Sequence, residues 1–89
     1  MQWDEKKRAA NIAKHGIDFF AAAHFDWDSA IAIEDTRYDY GEDRYRAFGK
    51  IDGTLHCLVF TPRGDEERIF SLRKATRKEI RWYEEERKS

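Results

Sequence analysis

Asp52-Gly53 stands between two strand-like runs, RYRAFGKI (44 to 51) and LHCLVFT (55 to 61), and it limits the fold more than any other dipeptide in the chain. A two-residue type I′ turn needs positive φ at both central positions, which Asp-Gly tolerates, so the two runs are read as neighbouring antiparallel strands. The second run is apolar almost throughout, as expected of a strand covered on both faces. It belongs in the middle of a sheet. AIAIED (30 to 35) reads as a strand before this hairpin. RIFSLR (68 to 73), reached through a turn at Pro62-Arg63-Gly64-Asp65, reads as a strand after it. Together they predict a four-stranded antiparallel meander.

Helices flank the strands. Asp4 is placed to cap a helix from Glu5, with Ala9, Ala10, Ile12 and Ala13 as its apolar stripe and Gly16 as its left-handed stop. Its polar face gathers Lys7, Asn11, Lys14 and His15, spaced i, i+4, i+7 and i+8. Asp18 caps a second short helix, FFAAAHF, ending near Phe25. Thr76 and Glu79 have the spacing of a capping box, which starts a last helix near Arg77, docked through Ile80 and Tyr83. The tail EEERKS is expected to be solvated and frayed. The predicted class is α+β: two N-terminal helices, a four-stranded antiparallel sheet and a C-terminal helix, in one domain spanning 1–89. A chain this short buries only about 60% of its unfolded surface. Its six Phe, four Tyr and three Trp supply large side chains for a thin core.

Several function classes drop out. Cys57 is the sole cysteine, so no intramolecular disulfide forms and a reducing compartment fits. No apolar run approaches the roughly 20 residues of a membrane span, and no apolar stretch follows the charged N-terminus as in a signal peptide. The expected location is the cytoplasm. His15, His24 and His56 are scattered and no CxxC or HExxH occurs, so neither a metal nor another cofactor is expected.

Charge is segregated along the chain. Through Glu42 there are five Lys or Arg against nine Asp or Glu; beyond it there are twelve against nine. Arg63, Arg68, Arg73, Lys74, Arg77, Lys78 and Arg81 crowd a turn, a strand and a helix start. Such self-repulsion points to an anionic partner, and planar guanidinium groups suit phosphate. Strict alternation over 68 to 73 puts Arg68, Phe70 and Leu72 on one face and Ile69, Ser71 and Arg73 on the other. Arg73, Lys74 and the Thr76 cap then resemble an anion seat at a helix N-terminus, although Lys74 and Arg77 are equally well read as solvated charges. Arg44 and Arg46 share a strand face with Phe48 and Lys50, the mixture used for backbone contact and base stacking. With RNA as substrate and no metal, the simplest reaction is attack of a 2′-hydroxyl on the adjacent phosphate. It needs a base, an acid and cations. His15, Glu42 and Lys14 are all candidates for the base. The plain readings are a helix-dipole cation for His15, packing for His24 and His56, and an ion pair for Glu42.

In order along the chain, Trp3-Asp4 to Lys7, Asn11, Lys14-His15-Gly16, Phe19, the DxRxxYGExR-like stretch from Asp35 to Arg44, Gly49, Arg63-Gly64 and RIFSLRKATRKE through Tyr83 resemble the BrnT-type toxins of the BrnT/BrnA type II toxin–antitoxin systems. The resemblance runs from Trp3 to about Glu84. It implies a RelE-like fold and a small endoribonuclease that arrests translation by cutting RNA. It also implies a BrnA-like ribbon-helix-helix antitoxin that neutralises the toxin, with DNA met only through that antitoxin. Carried over by position, it marks Lys14, His15, Arg44, Arg63 and Arg73 as catalytic, and Lys7, Lys74 and Arg77 as RNA-binding. Leu72 and Pro62 depart from the usual motif, but neither removes a charge. The rival reading is a non-catalytic module that binds RNA or the antitoxin on the same fold.

Overall fold

The computed structural model describes all residues, Met1–Ser89. The chain runs β1 (Gln2–Trp3), α1 (Glu5–His15), a 3₁₀ helix (Phe19–His24), β2 (Ile31–Glu34), β3 (Tyr45–Ile51), β4 (Thr54–Arg63), β5 (Glu66–Lys74) and α2 (Arg77–Lys88). The class is α+β, as expected, but the sheet has five strands in the order β1-β5-β4-β3-β2 and is mixed. The fifth strand, β1, pairs parallel to β5 through Gln2↔Arg68 and Trp3↔Ile69. Two residues carry no periodicity, so only the open edge of β5 makes them a strand. The expected second α-helix is a single 3₁₀ segment of six residues, capped by Asp18 accepting from the Phe20 amide. Short length and tight winding go together there.

The Asp52-Gly53 hairpin forms as read, with φ of 50° and 80°. The next turn is tighter than expected. β4 continues through Pro62 and Arg63, leaving Gly64-Asp65 as the connection, with Gly64 at φ 60°. Proline is tolerated there because β3 ends opposite Phe60, so Pro62 lies where β4 pairs with β5 alone. The strict alternation expected over 68 to 73 is broken by a bulge. Val59 pairs with Ser71 but Phe60 with Ile69, leaving Phe70 unopposed. Ile69 and Leu72 consequently enter the same core, while Phe70, Ser71 and Arg73 face the opposite side.

The sheet separates two apolar clusters. On one face Phe19, Ala22 and Phe25 pack against Ala47, Leu58, Phe60, Ile69 and Leu72. On the other, Tyr83 of α2 closes over Phe48, Leu55 and Cys57, with Ile80 and Trp82 at the margin. The Tyr83 hydroxyl donates to the Ser29 carbonyl at 2.6 Å and ties α2 to the segment before β2. The capping box at Thr76 and Glu79 forms, and α2 continues in regular helix to Lys88 where fraying was expected.

The main surprise is α1. Its alanines and Ile12 are exposed rather than packed. The helix docks instead through Asn11, whose Nδ2 donates to the carbonyls of Leu72 (2.8 Å) and Ile17 (2.9 Å) while its Oδ1 accepts from the Leu72 amide (3.1 Å). β1 stops short of Leu72, so this amide takes the place of a missing strand on the β5 edge. An unpaired buried edge is costly, and one side chain with both a donor and an acceptor satisfies it.

Candidate functional site

α2 covers only part of its sheet face. The remainder is the floor of a groove of about 290 Å³. Arg46, Val59, Phe70, Ser71 and Arg73 form the floor, Lys7, Lys14 and His15 of α1 form one wall, and Asp35, Arg37, Tyr40 and Arg44 form the other. Local structure explains the assembly. The Asn11 bond to β5 fixes the rotation of α1, so Lys7, Lys14 and His15 overhang the strand. The bulge turns Phe70 to the same side as Ser71 and Arg73. Alternation along β3 turns Arg46 to that side too.

The acidic groups in and beside this groove, Asp35 in its wall and Glu79 behind Arg73, are already committed. Asp35, whose side chain is fully buried, accepts from Arg37 Nε and Nη2 at 2.8 Å each and from the Tyr40 hydroxyl at 3.3 Å. Arg37 holds its carboxyl well below the usual carboxylate range. Glu79 accepts from Arg73 at 2.7 and 2.9 Å and from the Thr76 amide at 2.9 Å, and this pairing lowers its pKa to about 2. Lys7, Lys14, Arg44 and Arg46 have no carboxylate partner. Arg44 lies between two rings, 3.8 Å from the Phe70 centroid and 4.0 Å from that of Tyr40. Both faces of its guanidinium are covered, so it offers its N–H edge. The Nε atoms of Arg44 and Arg46 are buried with no hydrogen-bond partner. Such orphans are uncommon in folded proteins, and each costs about 1–3 kcal/mol.

His15 completes the set. Burial, then the charges of Lys14 and Arg73, lower its pKa, so the imidazole is neutral at pH 7. A neutral imidazole among fixed cations is able to accept a proton. Glu42, another candidate base in the sequence, is bound to Arg63 at 3.3 Å and does not line the groove.

The structure therefore brings together Lys7, Lys14, His15, Arg44 and Arg73 and leaves three expected residues outside. Arg63 stands at the far end of β4 with Glu42. Lys74 follows Arg73 on the strand and leaves on the opposite face, paired with His56 in register. Arg77 begins α2 and is exposed. The expected anion seat at this helix start is filled by the carboxylate of Glu79 itself. His56 is buried, with Nδ1 2.7 Å from the Thr54 carbonyl. Burial pushes the Cys57 thiol up to about 11, which leaves it unreactive beneath the floor. Nowhere do three or more His, Cys, Asp or Glu side chains converge as metal ligands would. Arg37, Tyr40 and Phe70 were missed as site residues. For the first two, the signal was the D-x-R-x-x-Y spacing that begins at Asp35.

Fold and groove together define a small α+β protein with a cationic groove that could hold an anion and a neutral histidine in its wall. A family model described as "Ribonuclease toxin, BrnT, of type II toxin-antitoxin system" matches residues 3–79. The chain belongs to this family of ribonuclease toxins, whose setting implies an RNA substrate and an antitoxin partner. No curated protein and no solved structure matches the chain. No helix is long and apolar enough to cross a membrane.

Proposed function

We propose that the groove is the catalytic centre of a metal-independent endoribonuclease that cuts by 2′-hydroxyl attack on the adjacent phosphate. The carrying observation is the convergence on one groove of Lys7, Lys14, Arg44 and Arg46, none of them paired with a carboxylate, together with the neutral His15. In this reading His15 takes the proton of the attacking hydroxyl. Arg44, Arg46 and Arg73 bear the charge that develops on the phosphate oxygens, and Lys14 donates to the departing 5′-oxygen. The bond from phosphorus to the 5′-oxygen breaks as the bond to the 2′-oxygen forms, leaving a 2′,3′-cyclic phosphate and a free 5′-hydroxyl. Lys7 holds a neighbouring phosphate. Arg63, Lys74 and Arg77 lie farther out and contact the strand away from the reacting bond.

We extend this reading to the wider setting. The single domain is of RelE-like type and works in the cytoplasm, where cutting RNA inhibits translation as part of a stress response. A BrnA-like ribbon-helix-helix antitoxin neutralises it and carries the DNA contact. The test is cleavage of a defined RNA by purified, antitoxin-free protein in EDTA, with end analysis. Cyclic-phosphate ends that disappear in Arg44→Ala support the reading. RNA that is bound tightly but stays intact, with and without ribosomes, would instead favour a binding module on the same fold.

A further inference from the structure

Between β2 and β3 the chain leaves regular structure for a loop built around the buried Asp35 and tied at its far side by Thr61 donating to the Asp43 carbonyl. The Asp35 amide donates to the Arg44 carbonyl at 2.7 Å, which closes the neck. The Asp35 carboxylate, inside the neck, holds Arg37 and Tyr40. From the groove floor a run of rings and cation climbs out along this loop. Phe70 covers one face of Arg44 and Tyr40 the other; Tyr38 then meets Tyr40 edge to face, with centroids 5.8 Å apart at 74°. Tyr38 ends the run with 72% of its surface exposed, more than any other large apolar side chain in the protein. The hollow inside the loop is about 500 Å³ and shares Asp35, Arg37, Tyr40 and Arg44 with the groove, so the two adjoin.

The electrostatic sign changes along that path. Arg44, Arg46 and the lysines make the groove cationic, whereas around the hollow Glu34, Asp35, Asp39, Glu42 and Asp43 outnumber Arg37 and Arg44. A phosphate is attracted to the first and repelled by the second, so the part of a nucleotide that suits the hollow is its uncharged base.

Resting on the ribonuclease reading, we infer that the Asp35–Arg44 loop is a nucleobase subsite, in which Tyr38 stacks on a base adjoining the phosphate held by Arg44 and Arg46. Every base has a π-face, so the platform tolerates sequence variation. A base paired in a duplex is already stacked and cannot turn onto it. The substrate at this point is therefore a single strand.

The test measures equilibrium binding of the full chain to a short single-stranded RNA blocked against cleavage by 2′-O-methylation. It is compared with the same RNA annealed to its complement and with a set in which one nucleotide at a time is abasic. Removing one stacking contact weakens binding about five-fold to a hundred-fold. Tyr38→Ala should lose at least about five-fold on the single strand, and Tyr38→Phe should stay within about two-fold. One abasic position should abolish the difference between wild type and Tyr38→Ala, and the duplex should bind weakly and insensitively to Tyr38. Unchanged melting temperature in Tyr38→Ala keeps misfolding out of the comparison. Equal affinity of wild type and Tyr38→Ala for the single strand would overturn the subsite while leaving the ribonuclease reading intact. So would a penalty unchanged at every abasic position, or a loss of antitoxin affinity with RNA affinity preserved. Wild type that neither binds nor cuts RNA would overturn both.

Discussion

Asp35→Asn replaces the one fully buried carboxylate of the groove with a group of the same shape and no charge. The native oxygens accept two charge-assisted bonds from Arg37 at 2.8 Å and weaker ones from the Arg37 amide and the Tyr40 hydroxyl, both at 3.3 Å. Charge-assisted bonds contribute about 1.5–3 kcal/mol each, and breaking a buried pair by removing one partner costs about 3–5 kcal/mol. Arg37 is 53% exposed at its side chain and regains water when released, which places the expected loss below the range for a buried pair. We expect about 2 kcal/mol. In a domain of this size that lowers the melting temperature by roughly 8–16 °C. Urea unfolding followed by circular dichroism should show a lower midpoint with an unchanged slope, since the folded core is untouched. Cleavage should fall as well, because the loop that carries Arg37 and Tyr40 has lost its anchor. A double-mutant cycle with Arg37→Ala isolates the pair: Arg37→Ala should cost far less in the Asp35→Asn background than in wild type. Strict additivity, or an Asp35→Asn loss below about 0.5 kcal/mol, which is the scatter of ordinary surface substitutions, would refute the anchoring role.

Gly49 lies flat beneath the Phe25 ring, and an added Cβ would come within 2.5 Å of its Cζ. Gly49→Ala should therefore destabilise by about 1–3 kcal/mol in denaturant unfolding, as overpacking does. Glu79 has a folded pKa of about 2 against 4.5 unfolded, so its stabilisation is complete above pH 4.5 and disappears as pH falls toward 2. About 2–3 kcal/mol should be lost across that window in wild type but not in Glu79→Gln, measured as unfolding free energy against pH. His15 has a lowered pKa, so its basic form dominates at neutral pH. The single-turnover cleavage rate should rise with pH through a midpoint below 6.5 and level off by about pH 7. His15→Ala should lower the rate by about 10²–10⁴-fold. A rate that falls as pH rises toward 7 would remove His15 as the base.

What was legible in the sequence was local. Asp4, Thr76 and Glu79 announce helix starts through bonds within three residues, Asp52-Gly53 announces its hairpin, and helical spacing alone puts Lys7, Lys14 and His15 on one face. The features that escaped depend on partners distant in the chain. Gln2 and Trp3 form a strand only because β5 offers an open edge 66 residues later. Asn11 looked like a surface residue and is buried for the same reason. The Phe70 bulge is a matter of register between β4 and β5, which alternation within one strand does not reveal. Arg73 and Lys74 were expected to form one anion seat, yet pleating sends them to opposite faces, and Glu79 occupies the helix start that they were expected to share with a ligand. Arg37 and Tyr40 belong to a loop without periodicity, so only their spacing from Asp35 marked them.

The central claim is that chemistry takes place in the groove and not along the basic hairpin as a whole. The measurement that tests it most directly is single-turnover cleavage of a short RNA with one scissile bond, comparing Arg44→Ala with Arg63→Ala. Each variant removes one guanidinium, from the groove and from the far end of β4 respectively. If the groove is the site, Arg44→Ala should lower the rate constant about 10²–10³-fold at saturating enzyme, the cost of removing one transition-state donor. Arg63→Ala should leave that constant within a few-fold and raise chiefly the concentration needed for saturation. The reverse pattern, with Arg63→Ala abolishing cleavage and Arg44→Ala leaving it intact, would move the active site out of the groove and contradict the account.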